Sequence, residues 1–286
     1  MAEPETHAVR GRLRRVVVDA LTHFNNDDGW AMSSHVALSA LMAVFPFLIF
    51  VAALAGFIGD AGLAGRVADI LFASWPPEVA RPIAAEVHLV LGEQRGGLLT
   101  VSILVTIYLA SNGVEAVRTA LNRAYRVVET RNFFFLRAQS VLFVFIGAVA
   151  SLVLAFLGVL GPLIFDRLVE IFPGLAPFQQ QFTYASLAVT VVTLVVALVT
   201  AHVWLPAGRP SLLRLWPGIL LTLVSWLVAT FIFSFYLRRF ANYVATYAGL
   251  ASVVTAIFFL YLVAMLMIFG AEFNAALARA RATADD

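Results

Sequence analysis

Charge vanishes from this chain over six long stretches. Val36 to Gly59, Leu98 to Ala110, Ala138 to Phe165, Phe182 to Leu205, Leu215 to Leu237 and Leu250 to Ala271 hold no Asp, Glu, Lys or Arg, and together they make up about half of the 286 residues. A helix needs ~20 mostly apolar residues to cross the hydrocarbon core of a bilayer. Five of the six runs reach that length unaided. The second is shorter. Beyond Ser111-Asn112-Gly113 the apolar positions continue at helical spacing through Val117, Ala120, Leu121, Ala124 and Val128. That spacing predicts one long helix leaving the membrane as an amphipathic extension. The fold class expected is all-α: a polytopic membrane protein of six transmembrane helices with amphipathic helices at the interface.

The segments between the runs refine this picture. Val9, Leu13, Val16, Val17, Ala20, Leu21 and Phe24 recur at helical spacing, with Arg10, Arg14 and Arg15 off the stripe. Such a basic amphipathic helix is expected to lie on the anionic inner leaflet. Asn25 to Gly29 is a polar break, with Trp30 as an interfacial anchor. Between Asp60 and Gly97, Trp75-Pro76-Pro77 and Arg81-Pro82 punctuate two short amphipathic pieces. Pro162, Phe172-Pro173-Gly174 and Leu205-Pro206 are read as closing the third and fourth spans. The organisation expected is a cytoplasmic amphipathic segment (1–29), a six-helix transmembrane domain (30–275) and a cytoplasmic tail (276–286). No cleaved signal peptide is expected, because the basic residues at the start and the first apolar run are separated by a polar segment.

Composition agrees: 62% of residues are hydrophobic and 13% charged, with a formal net charge of +2. All 19 basic residues are Arg, read as a GC-rich codon bias and hence a bacterial source. With the N-terminus inside, 13 of them fall on inner segments. Arg66, Arg81, Arg95, Arg167, Arg238 and Arg239 fall outside. That bias places both termini in the cytoplasm. The Arg residues sit at span ends and form no separate basic domain, so nucleic acid is not an expected partner. There is no cysteine, hence no disulfide and no thiolate chemistry.

Candidate chemistry is sparse. The five histidines stand apart, and no HExxH, GxSxG or Walker A pattern occurs. No catalytic residue, metal ligand or cofactor is therefore expected. Mid-span polar residues are neutral, such as Ser102, Thr106, Thr190 and Thr230. A strongly proton-coupled antiporter or a water-filled channel would call for charge there. The better candidates lie near the helix ends. Asn112, Glu115, Arg118 and Asn122 follow the second span, and Arg118 shares a helix face with both Glu115 and Asn122. Glu272 ends the sixth span. Asn112, Glu115 and Glu272 are expected to face one cavity in the inner half of the bundle, with Arg131 or Arg137 near its mouth. Pro46, in mid-span, removes a backbone bond and marks a kink or cavity wall. On the outer side Arg238 and Arg239, with Tyr247 nearby, form either an aromatic belt or a phosphate-binding rim. Headgroup contact and interhelical packing are the plainer readings of the same residues.

Three segments carry a family resemblance: Ala40 to Pro46 (ALMAVFP), Asn112 to Arg131 (NGVEAVRTALNRAYRVVETR) and Tyr243 to Ala276. In order and spacing they resemble the YihY/BrkB family of bacterial inner-membrane proteins, members of which have been labelled ribonuclease BN. The chain departs from the pattern at Tyr247-Ala248-Gly249, where Ala separates the usual Tyr and Gly. The resemblance implies a six-helix inner-membrane fold with cytoplasmic termini. The ribonuclease label finds no support in the residues, since Glu115, Glu129 and Glu272 are too few and too scattered. The function expected is transport or flipping of a lipid or other amphipathic anionic molecule, with membrane lipids as partners and no enzyme activity. The alternative is a non-transporting scaffold or envelope-assembly factor.

Overall fold

The computed structural model describes residues 3–58, 96–208, 211–239 and 248–285. Nearly all of these are helical. Helix α1 spans Glu3–Asn26, α2 Gly29–Ile58 and α3 Gly96–Ala124. Helix α4, Phe133–Val153, runs through a π-helical segment, Leu154–Leu160, into α5, Gly161–Ile171. A 3-10 turn at Pro173–Phe178 leads to α6, Gln179–Trp204. Helices α7, Leu212–Arg239, and α8, Ala248–Asp285, complete the described chain. Among the described residues, four stretches are long and apolar enough to cross a membrane: Phe133–Ile171, Pro173–Trp204, Leu212–Tyr236 and Val254–Ala282. The first two apolar runs lie in α2 and α3, of 30 and 29 residues. The protein is thus all-α, with several membrane-length helices. The two amphipathic pieces expected between Asp60 and Gly97 lie almost wholly outside the described residues, as does Tyr247.

Exposure shows the solvent for which these helices are built. On α7, Leu220, Val224, Leu227, Phe231 and Phe235 follow at steps of three and four, and each is at least half exposed. In water so large an apolar stripe would be a binding or aggregation surface, whereas in lipid it is the ordinary outer face.

The chain divides into two compact units. Unit 2 comprises residues 42–114 and 134–197. Its core is Phe50, Ala110, Val144 and Ala148, with Phe47, Ile107 and Phe156 packed around them. The π-helical segment lies here. Gly161 donates its N–H to Phe156 O, five residues back, and Ser186 of α6 donates to Leu157 O at 2.7 Å. Pro162, expected to close the third span, does not. It follows the π segment inside a continuous helix, where its missing N–H leaves a carbonyl of the preceding turn without a backbone donor; the Ser186 hydroxyl bonds there, and the helix continues to Ile171. Phe165 of α5 stacks on Phe182 of α6 at 4.6 Å.

Unit 1 comprises residues 1–41, 115–133 and 198–286. Its central contact joins α7 to α8. Pro217 within α7 has no N–H, so the helical ladder is broken there. The amide of Asn274, on α8, bonds the backbone on both sides of Pro217. Its oxygen accepts from Gly218 N at 2.7 Å and its nitrogen donates to Leu215 O at 2.9 Å. The backbones come this close because Gly218 and Gly270 face each other. A side chain added at Gly270 would collide with Thr222 and come within 2.8 Å of Gly218 O. A glycine on each helix makes so close a contact possible in membranes. Farther along, Trp226 Nε1 donates to Val263 O at 3.0 Å.

Helix α1 packs against α8. Part of its apolar stripe, expected to rest on the inner leaflet, is buried by protein: Val16, Ala20 and Phe24 are at most 3% exposed, while Leu13 and Leu21 stay more than half exposed. Phe269, Phe273 and Leu277 cover it. The reason is that α8 continues to Asp285, well past its apolar run, and so supplies a surface for α1. We predict that Asn274→Leu strands two buried backbone groups and costs about 2–4 kcal/mol, read as lower thermal stability in detergent. Gly270→Ala should destabilise similarly by forcing the helices apart. Full stability in both variants would remove this contact from its central place.

Candidate functional site

The charged side chains of unit 1 gather where α3 ends, α7 begins and α8 leaves its apolar run. Helix α3 stops earlier than its hydrophobic spacing predicts, at Ala124 rather than near Val128. The stop is a Schellman turn: Arg126 N donates to Arg123 O at 3.0 Å and Val127 N to Asn122 O at 2.9 Å. The turn requires a left-handed residue, usually Gly. Here it is Arg126, at φ 54°. A side chain in that conformation costs ~1 kcal/mol or more, and ion pairs offset it. Arg126 donates to Asp27 at 3.0 and 3.1 Å and lies 3.6 Å from Glu272. Asp27 belongs to the turn between α1 and α2, where Asp28 is also left-handed at φ 54°. Asp28 accepts from Arg123. Two crossed ion pairs therefore join two left-handed turns.

Glu272 is 1% exposed. Its Oε2 has no hydrogen-bond partner, so Arg126 is its compensation. Arg126 is thus shared by two carboxylates. Arg279, one helical face along α8, bonds Asp19 of α1 at 2.7 Å, and Asp19 also contacts His23. A separate hub holds the loop after α3. Arg131 donates to both oxygens of Glu129 and to Leu205 O, each at 2.7 Å. Asn122 donates to Glu129 and accepts from Ala207 N at 2.8 Å. The Arg131 hydrogen bonds hold the Glu129 carboxyl well below its usual range, at about 2. Glu129 thus stays charged at any physiological pH, and its stabilisation is lost only as pH falls through about 2.

Beside these pairs lies a cavity of 680 Å³. Arg126, Arg214 and Arg279 face it, with Tyr125, Ser211 and Asn274 as the other polar groups. Leu215, Ala275 and Ala278 form its apolar wall. Among the described residues, no Asp or Glu lines it. Tyr125 Oη is buried without a hydrogen-bond partner. Burial pushes its pKa up, against the pull of the neighbouring Asn274 amide, so it remains a proton donor.

The sequence candidates are distributed as follows. Glu115 pairs with Arg118 at 3.6 Å on one face of α3, and Arg118 is nearly buried. Asn122 and Arg131 meet at Glu129, and Glu272 meets Arg126. In unit 2, Arg137 donates to Asn112 at 3.0 Å and to Ser111 at 2.6 Å, and lies 4.1 Å from the ring centre of Tyr108. Pro46, half-buried, lies within α2. Arg238 and Arg239 are the last residues of α7, but their side chains, like Tyr247, lie outside the described residues. None of these candidates lines the 680 Å³ cavity. Sequence reasoning passed over Asp19, Asp27, Tyr125, Ser211 and Arg214 as site residues. Asp27 was read as part of a polar break, and only its αL neighbour in space explains its role.

Residues 20–286 match the model of the family described as Virulence factor BrkB. The chain is also similar to the "Putative ribonuclease-like protein YfkH" of Bacillus subtilis (strain 168), at 28% identity over 269 residues that cover 94% of this chain and 97% of that one. No solved structure matches it.

We predict that Arg126→Ala lowers thermal stability by roughly 2–4 kcal/mol, because Glu272 keeps its burial and loses its partner. Arg126→Gly loses the same pairs but relieves the left-handed turn, recovering about 1 kcal/mol. The melting order should be wild type, Gly, Ala. A glycine variant no more stable than the alanine variant would refute this reading of the turn.

Proposed function

The chain belongs to the Virulence factor BrkB family, and we propose that it moves a lipid or other amphipathic anionic molecule across the bacterial inner membrane. The observation that carries this reading is the cavity. A pocket with three guanidinium groups and no carboxylate among the described residues of its wall lies beside helices whose exposed faces are apolar. That combination suits a ligand with one anionic end and one apolar end. Docking alone would not require such a recess. In this reading the protein does no covalent chemistry. Among the described residues no three His, Cys, Asp or Glu side chains are grouped to hold a metal ion, as hydrolysis of RNA would ask.

Six membrane spans with both termini in the cytoplasm complete the proposal. It is supported by six apolar runs and by the 13 to 6 partition of Arg. The cavity then opens toward the cytoplasmic leaflet.

Two measurements check these points. Vesicles reconstituted with the purified protein should move headgroup-labelled anionic phospholipid between leaflets at least roughly tenfold faster than protein-free vesicles, with the lipid recovered chemically unchanged. Rates equal to the protein-free control would end the transport reading, and a hydrolysed product would end its non-enzymatic form. Reporter fusions should show a periplasmic signal at Ala84 and a cytoplasmic one at Gly208; the reverse pattern would overturn the topology.

A further inference from the structure

We propose that the unit 1 cavity is a phosphodiester site, with Arg214 and the start of α7 as its anion-binding centre. The inference deepens the transport reading and rests on it for the amphipathic character of the ligand.

Charge sets the first limit. Arg126 is held by Asp27 and Glu272, and Arg279 by Asp19. Arg214 has no carboxylate partner among the described residues, and it is exposed beside the cavity. It is therefore the guanidinium that can take a new partner without breaking an old one. Helix α7 begins at Leu212, two residues before it, and has no acidic side chain in its first turn. The Arg214 amide is already bonded to Ser211 O at 2.9 Å, so the helix start contributes through its dipole, about half a positive charge. Among the described residues one uncommitted cation beside a helix start matches one negative charge. A phosphodiester carries one; a phosphomonoester near neutral pH carries close to two, and the second would face carboxylates that already claim Arg126 and Arg279.

Donor geometry sets the second limit. Arg214, the Ser211 hydroxyl and the Tyr125 hydroxyl surround the same space. Tyr125 Oη is buried and has no acceptor. A carboxylate places two oxygens in one plane, which a guanidinium fork alone can serve. A tetrahedral phosphate offers oxygens in several directions and so reaches donors on different walls. The volume of 680 Å³ leaves room for both ester substituents. Leu215, Ala275 and Ala278 give one substituent an apolar path, and Leu213, 84% exposed, continues it along α7. The source that fits is the headgroup of an anionic glycerophospholipid.

The test uses the full chain in neutral detergent, with bound lipid counted by native mass spectrometry. Phosphatidylglycerol, a diester, should bind more tightly than phosphatidic acid, a monoester. Arg214→Gln should weaken phosphatidylglycerol roughly tenfold. Tyr125→Phe should weaken it about threefold in a variant that still melts as a folded protein. Arg167→Gln, at an exposed ion pair with Glu170 in unit 2, should bind as wild type. Unchanged binding in both Arg214→Gln and Tyr125→Phe would overturn the site, and a preference for phosphatidic acid would overturn the charge match. Glycerophosphoglycerol binding as tightly as phosphatidylglycerol would overturn the lipid as source. Binding that follows the expected pattern in a protein that moves no lipid would support the site and defeat only the transport reading. Rapid lipid movement with unchanged binding in the variants would do the opposite.

Discussion

One side chain of α8 bonds the backbone of α7 on both sides of Pro217. In lipid no water is at hand to satisfy backbone amides and carbonyls, so such bonds must come from protein. Asn274 makes them with both ends of its amide, at 2.7 and 2.9 Å. They demand that the two backbones approach closely, and Gly218 and Gly270 permit that approach. Much of unit 1 follows from this contact. It fixes the start of α7 beside the charged end of α8, so that Arg214 and Leu215 share a cavity wall with Asn274 and Arg279. A structural amide thus stands at the edge of the candidate site, and the packing of the bundle and the shape of the cavity depend on the same residue.

Electrostatics then organises what the bundle leaves outside its apolar runs. Three acidic residues from α1 and the turn after it, Asp19, Asp27 and Asp28, each take an Arg from α8 or from the end of α3. Exposed ion pairs contribute little one at a time. Here they act together with the burial of Val16, Ala20 and Phe24, which holds α1 in place and limits the entropy lost in forming each pair. Arg126 is the exception in kind, because it also compensates a carboxylate withdrawn from water.

Much of the fold could be read from hydrophobic spacing. The apolar runs became helices, the long α3 carried its extension beyond Asn112, and the stripe on α1 was real. The errors have physical causes. Pro162 looked like a stop because sequence does not reveal a π segment, or a hydroxyl on a neighbouring helix, that accommodates it. The stripe of α1 could not announce whether lipid or α8 would cover it. Glu272 was legible as a charge next to hydrocarbon that needed a partner, but its partner was not. Arg126 occupies a turn position normally marked by Gly, so nothing in the sequence signalled a helix end there. Glu115, expected to face one cavity with Glu272, finds its Arg within its own helix. Arg214 carried no mark beyond its place after a loop, because an uncommitted cation is recognised only once the commitments of the others are known.

The π-helical segment between α4 and α5 has a consequence for how this family of chains can vary. Successive residues of an α-helix advance by about 100°, and a π turn accommodates an additional residue without ending the helix. The face that α5 presents is therefore rotated from the one α4 would present if it ran on unchanged. The stack of Phe165 on Phe182 depends on that rotation, and the hydroxyl of Ser186, bonded to Leu157 O, holds it from the neighbouring helix. Length is then as constrained as composition between Leu154 and Leu160. A relative lacking one residue there would have to present a different side of α5 to α6, and its aromatic positions should be shifted in step.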